Sequence, residues 1–162
     1  MLDETELLQA LRRHWEYSGE DDDSANAIYH DDAVLEFPQS GERFEGVQNF
    51  RDWRRQYPAK LEFHLRRINH RDDLVVTEYV ISHNGAPWLF TVSIVEFEDD
   101  RVAHERIYIT EGWERAEWRA PWRAEPAANP APPWLSEPPQ PTKPWYKHPS
   151  ASPASPLRSS SS

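Results

Sequence analysis

A chain of 162 residues, 38% hydrophobic and 28% charged, is the length of one domain and carries enough apolar material for one core. Its formal charge of −10, with no basic stripe to offset it, repels phosphate backbones and excludes nucleic acid as an expected partner. The lack of cysteine removes disulfides, thiolate metal sites and a Cys nucleophile, and no apolar run approaches the ~20 residues that cross a bilayer.

The first expected element is a helix over residues 3–17. Asp3 and Glu6 make an acidic capping box at its start, and Leu7, Leu11 and Trp15 recur at helical spacing, so one face packs inward. Ser18-Gly19 ends it. Ser24 is placed to cap a short second helix over 25–29, with Asp21, Asp22 and Asp23 near its positive end. A first strand runs over 33–37 and stops at Pro38. After a connector over 39–46, a third helix puts Val47, Phe50, Trp53 or Arg54, and Tyr57 on one side, and Pro58 closes it.

Four strand runs follow, over 61–70, 74–83, 88–98 and 101–110, joined by tight connectors such as Arg71-Asp72-Asp73 and Asp99-Asp100. Such connectors are hairpin turns, so the neighbours pair antiparallel, and helices followed by a meander make an α+β fold. Strands of about ten residues exceed the usual ~5–6 and favour a strongly bent sheet. Residues 111–123 hold Trp113, Trp118 and Trp122 and are expected to strap against the domain. Beyond Ala124 lie 11 of the 15 prolines and eight serines, a composition too poor in apolar surface to offset ordering entropy. The expected organisation is a folded domain over 1–124 and a disordered Pro/Ser-rich tail over 125–162. The amino terminus lacks a signal-peptide pattern, so the expected location is cytoplasmic, with no membrane partner.

Two blocks carry a family resemblance. One is Tyr29-His30-Asp31-Asp32-Ala33-Val34-Leu35-Glu36-Phe37-Pro38, followed by Gly46 before a helix; the other runs from Val95 through Asp99-Asp100 to Tyr108. In this order of elements the chain resembles the nuclear transport factor 2-like superfamily, which includes SnoaL-like polyketide cyclases, ketosteroid isomerase and limonene-epoxide hydrolase. The resemblance covers residues 3–123. It implies a cystatin-like cone, a curved antiparallel sheet wrapped by three N-terminal helices around an apolar pocket.

The resemblance also limits the chemistry. The isomerase's general base falls on Phe37, its protonated acid near Ser93 and its helix tyrosine near Arg13, so none of the three roles is filled. None of the expected strand runs holds an aspartate, so the hydrolase's Asp-Arg-Asp set is not expected. The cyclases use an acid on the last long strand, where Glu105 is the sole carboxylate.

Strand alternation puts Glu105 on one face with Ile107 and Ile109, and desolvation between aliphatic neighbours suits a general acid or base. The competing role for Glu105 is an ion pair with Arg66, Arg67 or Arg106. His64, in mid-strand, and Glu78 are weaker catalytic candidates, and each is as readily a surface residue. Trp15, Tyr29, Phe37, Ser93, Ile107 and Ile109 are the expected ligand-contacting set, with core packing as the alternative for the aromatics. No His pair has metal-ligand spacing, so neither metal nor cofactor is expected.

The expected function is a pocket for a small hydrophobic molecule, with acid/base cyclisation, isomerisation or hydration of a carbonyl compound as its chemistry. The alternatives are a non-catalytic binding module and a dimerising interaction module. Trp88, Phe90, Val92 and Ile94 on the opposite sheet face lead to an expected homodimer through that face.

Overall fold

The computed structural model describes residues 2–56 and 59–125. The Pro/Ser-rich segment over 126–162, together with Tyr57 and Pro58, lies outside the described residues.

Helix α1 spans Glu4–Tyr17, and its capping box forms as the spacing predicts: the Asp3 carboxylate accepts from the Glu6 amide and the Glu6 carboxylate accepts from the Asp3 amide. Its inward face buries Leu7 and Leu11. Helix α2 spans Asp22–Asn26, and here the expectation is corrected. Asp21, not Ser24, is the cap, accepting from the amides of Asp23 and Ser24, and the helix ends before Tyr29. An aspartate three residues upstream reaches those amides better than a serine already inside the turn.

Strand β1 starts earlier than its apolar core implies and spans Tyr29–Phe37, followed by a short β2 (Glu42–Glu45) inside the expected connector. Helix α3 is Val47–Gln56, and β3 (Leu61–Arg71), β4 (Leu74–His83), β5 (Leu89–Glu98) and β6 (Arg101–Thr110) form the antiparallel meander. Left-handed backbone at Asp72 and Asp99, φ 53 in each, supplies the tight hairpins.

The sheet order is β2-β1-β6-β5-β4-β3, and β1 joins β6 in parallel. The sheet is therefore mixed, where local turns predicted antiparallel pairing alone. A parallel neighbour needs a long crossover, and no tight turn announces it.

The main core lies between the helices and the inner sheet face. Phe50, Leu35 and Val75 are fully buried there, with Tyr29, Val95 and Val102 around them. A second cluster, Tyr79, Ile81 and Leu89, packs with Leu61, Phe63 and Ile109. The gap between these clusters is where the site forms. After β6 a short 3-10 helix covers Glu117–Trp122. Trp113, Trp118 and Trp122 are exposed at 76%, 70% and 78%, so the expected packing of this strap on the domain is corrected.

Candidate functional site

The helices and the concave sheet face enclose a cavity of about 290 Å³. Its wall is apolar where β6 supplies Ile107 and Ile109, β3 supplies Phe63 and α3 supplies Trp53, with Phe37 from the end of β1. Gly19, Glu20 and Arg55, all exposed, mark the mouth.

Glu105 lies on this wall with only 6% of its surface exposed. Alternation along β6 turns it inward, and the register sets it between Leu35 of β1 and Val95 of β5, both buried. None of the arginines weighed from the sequence takes it as an ion-pair partner. Arg66 pairs with Glu78 at 3.3 Å, and Arg106 pairs with Glu96. Instead the Tyr29 hydroxyl donates to the Glu105 carboxylate. Burial, then the Glu105 charge, pushes the Tyr29 phenol well above its ordinary value, so it stays a donor.

Two further side chains complete the polar end. His14, on the inward face of α1, has Nδ1 2.6 Å from the Ala25 carbonyl oxygen. A carbonyl only accepts, so Nδ1 carries the hydrogen and Nε2 of the neutral ring is an acceptor. Burial, then the Arg54 charge, lowers the His14 value and keeps the ring neutral near pH 7. Arg54, from α3, lines the same cavity. Its Nη1 donates to Asn26 Oδ1 at 3.1 Å, and Asn26, 1% exposed, is anchored by its own Nδ2 to the Asp22 carbonyl. Tyr79 and Ser93 share a hydrogen bond at 3.1 Å, and burial, then Glu105, raises the Tyr79 phenol.

The expected site residues divide into three groups. Glu105, Phe37, Ile107 and Ile109 line the cavity. Trp15, Tyr29 and Ser93 stand behind it, around a small adjoining void that Glu105 and His14 also line. Trp15 backs the wall through ring contacts with Phe63 and Tyr79 at 6.4 and 5.8 Å.

His64 and Glu78 are corrected as catalytic candidates, because both sit on the outer sheet face. Each pairs across the ladder with an outward residue, His64 with Val80 and Glu78 with Val92. His64 is exposed with its ring on Trp88 at 4.6 Å, and Glu78 is in its ion pair with Arg66. Arg13 is exposed.

Sequence reasoning missed His14, Arg54 and Asn26, and weighed His83 only as one of four strand histidines behind His64. Signals for two of them were present. His14 follows Leu7 and Leu11 at helical spacing, and Arg54 continues Val47 and Phe50. Among the described residues, no group of three or more His, Cys, Asp or Glu is placed to hold a metal ion. No described helix is long and apolar enough to cross a membrane.

The model of the SnoaL-like domain matches residues 8–105. A nuclear transport factor 2-like protein of unknown function from Burkholderia xenovorans LB400 is similar at 40% identity and TM-score 0.66, over 74% of this chain and 94% of that one. An LEH-like epoxide hydrolase from M. tuberculosis shares the fold at 24% identity and TM-score 0.56, over 65% of this chain and 83% of that one. So does a protein of ketosteroid isomerase-like fold from Catenulispora acidiphila DSM 44928, solved with trimethylamine, at 14% identity and TM-score 0.54, over 64% and 84%. No curated protein gives a significant match.

Proposed function

This chain belongs to the SnoaL-like domain family, and on that premise we propose that it binds a small hydrophobic carbonyl compound and isomerises, cyclises or hydrates it by acid/base chemistry at Glu105. The observation that carries this reading is a carboxylate buried on an apolar cavity wall and held by a tyrosine hydroxyl rather than by a basic side chain. An ion pair would fix the carboxylate as a structural anion. A phenol orients it and leaves it able to take and return a proton. The surrounding Phe37, Trp53, Phe63 and isoleucines exclude water from the reacting carbon and offer flat surfaces to a ring or polyene. Tyr29 is the positioning residue, and Glu105 touches the substrate.

The test is solvent exchange. Purified protein is incubated in deuterated buffer with β-tetralone and cyclohex-3-enone, and deuterium entering the carbon next to the carbonyl is followed by NMR. The wild-type chain is expected to accelerate exchange, and Glu105→Gln, which keeps shape and removes the base, should slow it by about 10²–10⁴-fold with little change in ketone affinity. Exchange that survives the substitution undiminished would overturn the assignment. Ketones that bind without exchange in either protein would favour the non-catalytic binding module.

A further inference from the structure

Several basic side chains of this domain answer acids. Arg43 pairs with Glu36 and Glu45, Arg51 with Asp23, Arg66 with Glu78 and Arg106 with Glu96. Arg55, next along α3, pairs with Asp22 at 3.3 Å at the cavity mouth. Arg54 differs. Its guanidinium donates to a neutral amide, and that amide is locked in place by the Asp22 carbonyl; among the described residues no carboxylate forms an ion pair with it. The arginine also rides against the Trp53 ring, 5.4 Å from its centroid. Arg54 and Glu105 line the cavity together with His14 and Tyr79. Together they make the polar end of the cavity a separated cation and anion with a substrate-sized space beside them.

We propose that Arg54 is the oxyanion anchor of this site, taking the substrate's oxygen as its partner when negative charge develops there during proton transfer. The step balances within the cavity. Glu105 takes a proton from the carbon next to the carbonyl and the C–H bond breaks. Its electron pair forms a carbon–carbon double bond, and the carbonyl π pair moves onto oxygen, giving an enolate. Glu105 becomes neutral as the enolate becomes negative, so the enclosed charge stays constant and Arg54 faces one anion before and after. Return of the proton from Glu105 to carbon restores the starting charges. A preorganised cation aimed where charge develops stabilises the transition state more than the neutral ketone. His14 Nε2, an acceptor, cannot supply the oxyanion contact while its ring is neutral.

The chemistry rests on the acid/base reading of Glu105, but the test does not read turnover. The probes are 2-naphthoate, an anion of fixed charge, and its neutral analogue 2-naphthamide, titrated calorimetrically at pH 8 into the full chain. In the wild type, Glu105 and Arg54 oppose each other and the two probes should bind with similar affinity. In Glu105→Gln the opposing charge is gone, and naphthoate should tighten about tenfold, as a charge-assisted contact allows. Adding Arg54→Gln, whose amide can still donate to Asn26, should erase that gain. Naphthamide should shift by less than about threefold throughout. A gain that persists without Arg54, no gain in Glu105→Gln, or no heat from either probe in any variant would overturn the proposal. The acid/base reading fails separately, through undiminished exchange in Glu105→Gln.

Discussion

His83 lines the cavity with 8% of its surface exposed, and burial lowers its value to about 4 from an ordinary 6.5. The imidazole is therefore neutral in the folded chain at pH 7, while the unfolded chain takes up a proton as pH falls below about 6.5. A group depressed on folding contributes stability that is whole above its unfolded value. That stability is lost as pH drops towards the folded one, so the window runs from about 6.5 to about 4. His14 is lowered by burial as well and acts in the same sense. Glu36, lowered by hydrogen bonds from His104 and Arg43, adds a loss only below its ordinary 4.5. His83→Gln should narrow the difference in Tm between pH 7 and pH 5 by several degrees. An unchanged difference in a calorimetric pH series would mean that His83 is solvated.

Among the elements, the junction of α1 and β3 decides whether the cavity has a mouth. Gly19 follows the helix at φ +85, and a Cβ there would sit 2.5 Å from the Ala59 carbonyl oxygen, a backbone atom that cannot swing aside. The helix end and the approach to β3 are thereby held at a distance only glycine tolerates. Gly19→Ala should cost more than about 2 kcal/mol, combining left-handed backbone strain with the clash. Urea denaturation showing a loss below about 0.5 kcal/mol would reject this close approach. The three C-terminal tryptophans teach the complementary lesson. Their composition reads as apolar and strap-like, but the 3-10 helix carrying two of them presents its rings to solvent. Composition alone cannot say which surface an element covers.

For the whole molecule, the outer sheet face is the feature that the described residues leave open. Phe90, Val92 and Ile94 alternate outward along β5 and are half-buried, and Tyr108, opposite Val92, is 40% exposed. The ion pairs Arg66–Glu78 and Arg106–Glu96 flank this stripe. We propose that a second copy covers it, giving a homodimer with the cavity mouths free. Light scattering at tens of micromolar should give twice the chain mass, and Val92→Lys should return it to the monomer. A wild-type monomer at that concentration would reject the dimer.

The sequence by itself determined the elements and the faces. The capping box at Asp3 and Glu6, the hairpin turns at Asp72 and Asp99, and the alternation that puts Glu105 with Ile107 and Ile109 on the concave side are local, set within a few residues by backbone geometry and side-chain period. The tertiary structure decided the company each side chain keeps. Tyr29 meets Glu105 across 76 residues, Arg54 meets Asn26 across 28, and β1 enters the sheet parallel to β6. Periodicity tells which way a residue points but not what stands opposite. That depends on how three helices settle over a bent sheet, a choice made by packing of the whole core. It is also why His14 and Arg54 read in sequence as ordinary members of amphipathic helices.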